Sequence, residues 1–406
     1  MFGGDNMKKV IAAMVVFALL VGIGGLASAH GMEGGSWAKE KWGEHWDENA
    51  AKIAKKCNMF GWISYDPSTG YAEGRYISFY IDEDQGTITE YTLNNTTVFN
   101  KVYFDSTVSW GDVYVHGAAL IYYSYAISGE FNYSHGNFSW NVSGYARIVG
   151  AHDNPTGVMS IMLVGNEINE NVHYVLADGL TASFVNNYHI KITGNGINAH
   201  LLIGHGTANI NGNEITINIQ KAGCIVFVAK PPNSEIPDEA WDKIMEGIQK
   251  GKVAAQVKVA VSGEAYAADS VNYTHEVSVK VEKAQKNSVR VKVSGYASTG
   301  KAVYVEVNKD SLNGDIKVII DGKEAKRVDV ETALNGGNEP MYAVIEGKST
   351  VGIIVWVPHF SEHTVDIKAE SASPFFQNYF GLPLYLWIII AVVVIVIVAV
   401  VAAKRR

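Results

Sequence analysis

His359-Phe360-Ser361-Glu362-His363 is the densest group of potentially reactive residues in this 406-residue chain. It matches H-x-x-E-H, in which a helix sets two histidines on one zinc ion and leaves the glutamate as general base. Pro358 precedes the first histidine and strand-like runs flank the motif, so a helix is not expected here. The spacing instead predicts a β-turn that does not aim the two imidazoles together. Its His and Glu would hydrogen-bond neighbouring loops, with a membrane-proximal metal site at His359 and His363 as the alternative.

His30 is the second candidate ligand. An A-x-A cleavage site at Ala27-Ser28-Ala29 would make it the mature N-terminus, where amine and imidazole together can chelate copper. Seven more histidines (His116, His135, His152, His173, His189, His200 and His205) lie between residues 58 and 230, but metal ligands must converge and spacing alone does not show that. Asp82-Glu83-Asp84 before Gly86 reads as calcium oxygens or an acidic hairpin tip, without the twelve-residue EF-hand pattern. Trp110, Tyr114, Tyr122, Tyr123, Tyr125 and Trp140 crowd one region and suggest a sugar-stacking patch, although alternation puts aromatics on both strand faces. No G-x-S-x-G elbow, P-loop, C-x-x-C pair or C-x-x-C-H haem site occurs, so no catalytic residue is assigned and no cofactor is specified.

Covalent features point outside the cell. Two cysteines, Cys57 and Cys224, allow one disulfide, which an exported chain can keep. Six N-x-S/T sequons begin at Asn94, Asn95, Asn132, Asn137, Asn141 and Asn272, and five of them cluster, as on a glycosylated face. The net charge of −8 is spread along the chain without a basic stripe, so nucleic acid is not expected as a partner.

The elements that must carry these residues begin with an export signal, residues 1–29. Lys8 and Lys9 precede an apolar run from Val10 to Leu26. Residues 30–57 read as an N-terminal amphipathic helix, with Trp42, Trp46, Ala50, Ile53 and Cys57 on one face. Short apolar or alternating runs with turn residues between them then mark a β-rich domain at 58–230. Val113–Ser128 and Asn137–Gly150 each read as one long strand in it. Residues 231–252 form a linker and helix: Pro231-Pro232 break the strand, and Trp241, Ile244, Met245 and Ile248 share a helical face closed by Gly251. Clean alternation over 253–370 predicts an immunoglobulin-like β-sandwich, with a hairpin turn at Asp321-Gly322. A stalk at 371–383 leads to twenty apolar residues, 384–403, long enough to span about 30 Å of bilayer as a helix. Lys404-Arg405-Arg406 form a cytoplasmic tail by the positive-inside rule.

The expected fold class is therefore mainly β: two sandwich-like domains, a short N-terminal helix, an interdomain helix and one C-terminal transmembrane helix. The turn Asp153-Asn154-Pro155-Thr156-Gly157-Val158 and the segment Val357-Pro358-His359-Phe360-Ser361-Glu362-His363-Thr364 resemble archaeal cell-surface proteins with a signal peptide, β-rich ectodomain and C-terminal anchor. That resemblance implies an envelope location and no activity. The expectation is a single-pass, membrane-anchored envelope protein, structural or adhesive and glycosylated, with envelope proteins or glycans as partners. The alternatives are an extracellular metal- or glycan-binding protein and a surface hydrolase without a local motif.

Overall fold

The computed structural model describes residues 59–106, 111–116, 118–126, 131–135, 138–142, 145–165, 168–231, 234, 236–274, 276–347, 349–370, 378–379, 382–383 and 386–391. The expected signal peptide, N-terminal helix and cytoplasmic tail lie outside these residues. So does most of the stalk and apolar run, of which only 378–379, 382–383 and a helical turn at 386–391 are described. Among the described residues no helix is long and apolar enough to cross a membrane.

The chain is mainly β. Strands β1 (Ile63–Asp66), β2 (Tyr71–Gly74), β3 (Ile77–Asp82), β4 (Thr87–Leu93) and β5 (Thr96–Phe104) form an antiparallel meander. Next come β6 (Gly111–His116), β7 (Ala119–Ala126), β8 (Phe131–His135), β9 (Phe138–Val142), β10 (Tyr145–His152) and β11 (Val158–Gly165). Then follow β12 (Glu170–Leu176), β13 (Thr181–Asn186), β14 (His189–Gly194), β15 (Ile197–Ile203), β16 (Thr207–Asn211), β17 (Glu214–Ile219) and β18 (Gly223–Ala229). One sheet runs β1-β2-β3-β4-β5-β12-β17-β16 and a second runs β13-β14-β15-β18-β11-β10-β7-β6. Their facing sides share one core, centred on Tyr91, Phe99, Tyr174 and Phe227 with ring centroids 5.1–6.0 Å apart. Val113–Ser128 is thus two strands rather than one, because β6 and β7 run antiparallel and pair His116 with Ala119. Asn137–Gly150 is likewise split between β9 and β10.

Helix α1 (Asp238–Gln249) starts at Pro237, with Asp238 and Glu239 in its first turn against the helix dipole, and Gly251 in the left-handed region (φ 65°) closes it. Beyond it lie β19 (Val253–Ser262), β20 (Ala265–Asn272), β21 (Val277–Gln285), β22 (Ser288–Gly295), β23 (Lys301–Asn308), β24 (Asp315–Ile320) and β25 (Lys323–Glu324). They are followed by β26 (Lys326–Arg327), helix α2 (Val330–Asn335), β27 (Met341–Glu346), β28 (Thr350–Val357) and β29 (Glu362–Glu370). A third sheet, β20-β19-β23-β28-β27-β26, packs on a fourth, β21-β22-β29-β24-β25, over a Val- and Ile-rich core. In the third sheet β19 and β23 run parallel. The Asp321-Gly322 hairpin forms as expected, with both residues at positive φ (50° and 81°).

Strand β28 is buried along nearly its whole length, as are the first eight residues of β19. A sheet solvated on one face would alternate instead. Both faces of the third sheet are therefore covered, one by the fourth sheet and the other by α1 and the first domain.

Candidate functional site: the layer between the two domains

The layer is apolar around α1. Trp241, Ile244, Met245 and Ile248 share one cluster with Val158, Leu202 and Val228 of the first domain. The same cluster takes in Ala302, Tyr304, Ile354 and Trp356 of the second. Trp241 has no exposed surface. Leu334 of α2 closes the far side, and Met59 and Phe60 pack on Ala260 and Ala267 of the third sheet.

Beside the helix the layer is charged. Register places Lys258 opposite Asp269 on one neighbouring strand and Glu306 on the other, a carboxylate–ammonium–carboxylate row. Lys258 is 3% exposed, and its Nζ stands 4.0 Å from Glu306 Oε2. Burial pulls the Lys258 pKa down, against Glu306 and Asp269, which push it up. His152 of the first domain completes the row, its Nε2 lying 3.0 Å from Asp269 Oδ2. A buried pair of this kind adds little net stability, but removing one partner costs about 3–5 kcal/mol. Of the row, only the His152–Asp269 contact crosses between the domains, since the other three groups sit on adjacent strands of one sheet.

The loop carrying His152 is held from behind. Asp153 accepts backbone N–H bonds from Trp62, Arg75, Tyr76 and Ile77 at 2.7–2.9 Å. Burial raises the Asp153 pKa, against these four donors, which favour the anion. A Cβ on Gly61 would fall 1.9 Å from the Asp153 carbonyl oxygen, so only glycine permits the approach. The Asp153-Asn154-Pro155 turn does form, yet Asp153, Asn154 and Thr156 are all buried, where a turn signal alone implies surface.

On the other flank, His189 Nε2 lies 2.7 Å from His200 Nδ1, and His200 Nε2 lies 3.3 Å from Asp242 Oδ1 on α1. Lys191 Nζ donates to both Asp242 oxygens at 2.7 and 2.9 Å. Burial and the neighbouring His189 pull His200 down to about 3, against Asp242. A second buried network sits inside the first domain, where Arg147 Nη2 meets Glu170 Oε2 at 2.8 Å, with Tyr145 and Ser106 on the same carboxylate.

The residues singled out by sequence are dispersed. His30, Cys57, Trp110 and Asn137 lie outside the described residues. Cys224 is a free thiol on β18 whose pKa burial pushes up to about 12. Asn94 and Asn95 form the β4–β5 turn at φ 52° and 64°, with Asn95 exposed. Asn132 pairs with Asn141 across β8 and β9, and Asn272 ends β20 half-buried. His173 bonds Asp105 and Glu214, each at 2.9 Å, on the outer face of the first sheet. Asp82 Oδ1 caps the backbone of Asp84 and Gln85 in an acidic turn. Tyr122 and Tyr123 are both buried, so neither offers its ring to solvent, while Tyr114 is exposed. Among the described residues no group of three or more His, Cys, Asp or Glu is arranged to hold a metal ion.

One expectation about the H-x-x-E-H segment needs correction. The turn does bring the imidazoles together: the His359 and His363 ring centroids are 5.0 Å apart. The pair stands at the start of β29, which runs on from Glu362 to Glu370. Its length puts about 27 Å between the two ends. His363 Nδ1 bonds Asp321 Oδ2 at 2.6 Å, and Ser361 Oγ lies 3.4 Å from His363 Nε2, the outer limit of a hydrogen bond.

Sequence reading missed the Lys258–Asp269–Glu306 row, the Asp153 clamp and the Arg147–Glu170 pair. Polar residues alternating with Val in Val257-Lys258-Val259 and Val305-Glu306-Val307 read as a solvent face. Only the second layer shows that they are buried.

The MAST domain family matches residues 242–374, about a third of the chain, covering the second sandwich and most of α1. No curated protein matches. A glycoside hydrolase family 81 enzyme from Clostridium thermocellum is similar at 10% identity and a TM-score of 0.38, over 81% of this chain and 41% of its own. A heparinase III is similar at 11% identity and a TM-score of 0.28, over 59% of this chain and 39% of its own. The chain thus spans about two fifths of each, and at these scores neither likeness assigns it a fold or an activity.

Proposed function

We propose that this chain is an exported, membrane-anchored envelope protein, structural or adhesive, that presents two β domains as one stiff unit. The observation that carries the reading is the layer around α1. A linker built only to tether two domains would be exposed and polar. Here the apolar face of the connecting helix is buried in a cluster that draws on both domains, with Trp241 fully enclosed. The export signal at 1–29, the anchor at 384–403 and the sequons at Asn94, Asn95, Asn132, Asn137, Asn141 and Asn272 support an extracellular setting. So does the resemblance to archaeal surface proteins. Envelope proteins or glycans are the partners this reading implies, met at the glycosylated outer domain.

The test is biotinylation of intact cells with a membrane-impermeant amine reagent, followed by membrane fractionation. The reading expects labelled ectodomain lysines, such as the exposed Lys221 and Lys286, in a fraction that only detergent releases. Label appearing only after lysis, or release by salt alone, would overturn it.

A further inference from the structure

We propose that His359 and His363 form a binding site for a divalent transition-metal ion such as zinc, with Asp321 as the positioning carboxylate behind His363. The geometry carries the assignment. An imidazole nitrogen sits about 2.1 Å from zinc and about 1.1 Å from its own ring centre, so each ring centre lies about 3.2 Å from the ion. At a near-tetrahedral angle, two such rings have centroids about 5.2 Å apart. The observed separation is 5.0 Å, at an interplanar angle of 58°.

The surroundings favour a ligand role over a closed structural contact. His363 is 5% exposed, and Asp321 Oδ2 takes its Nδ1 side at 2.6 Å, which fixes the tautomer and leaves Nε2 with a free lone pair on the side of Ser361. The carboxylate is itself fixed by the Thr364 backbone N–H, which donates to Oδ1 at 2.9 Å. Nε2 then meets only the Ser361 hydroxyl, at 3.4 Å. His359 is exposed. Glu362 is turned away and paired with Lys292 at 2.8 Å, so it is not a ligand. The protein thus supplies two imidazole nitrogens, one from buried His363 and one from exposed His359, and leaves the remaining positions to water on the His359 side, a set suited to borderline ions.

Equilibrium dialysis of the full chain in detergent against Zn2+, with metal counted by mass spectrometry, tests this. The wild type should hold one more zinc per chain than His359→Ala, whose exposed side chain leaves the fold intact. His363→Gln should lose the same equivalent. Asp321→Asn should keep the stoichiometry but bind about tenfold more weakly. His30 is common to all variants and cancels in the difference. Equal zinc in wild type, His359→Ala and His363→Gln would overturn the assignment.

Discussion

Truncating Trp241 should uncouple the two domains. The side chain is fully buried in the cluster shared by both sandwiches. Trp→Ala in such a place costs about 3–5 kcal/mol through lost transfer energy and the cavity left behind. The indole N–H has no protein partner, so truncation also removes a buried donor that opposes folding by about 1–3 kcal/mol. The expected loss is therefore near the lower end, about 3 kcal/mol. It should fall on docking rather than on either core, because the residue belongs to neither sandwich interior. Urea unfolding followed by Trp fluorescence and by far-UV circular dichroism is the assay. Wild type should unfold in one coincident transition, and Trp241→Ala in two resolved ones. A single coincident transition in the variant, shifted or not, would refute the argument that α1 couples the domains.

Acid should weaken the fold through His200. With its pKa held at about 3 in the folded chain and near 6.5 unfolded, the unfolded state binds the extra proton between those values, so stability rises with pH across that window. Stability should fall by about 1.4 kcal/mol per pH unit below 6.5, and His200→Gln should flatten that slope in pH-dependent urea titrations. Asp153→Ala would remove the carboxylate that accepts from the Trp62, Arg75, Tyr76 and Ile77 N–H groups, of which Arg75 keeps the Trp62 carbonyl, and should cost at least about 3 kcal/mol, read as a lower urea midpoint at unchanged slope. Gly61→Ala drives a Cβ into the Asp153 carbonyl and should lower the melting temperature, by about 1–3 kcal/mol of strain.

Much of the frame was legible in the chain itself. Helix α1 announces itself through Trp241, Ile244, Met245 and Ile248 at helical spacing between Pro237 and Gly251, and the structure keeps those limits within a residue. The strands of the second domain alternate cleanly, and the hairpin at Asp321-Gly322 stands where its turn signal puts it. Strand β20 and helix α2 escaped notice because Ala265–Asn272 mixes small and polar residues and Val330–Asn335 is too short to show a period. What sequence could not give was the third dimension of the site. Asp269, Lys258 and Glu306 meet only after three strands have found their register, one of those pairings being parallel. His152 joins them from 117 residues away.

The stiffness of the two-domain unit is tested most directly by a distance distribution between two spin labels, one at exposed Lys221 and one at exposed Lys286, attached by non-cysteine chemistry to the full chain. A single narrow distance, unchanged by lipid or detergent, is the predicted result. A broad or two-peaked distribution would contradict it and reduce α1 to a tether.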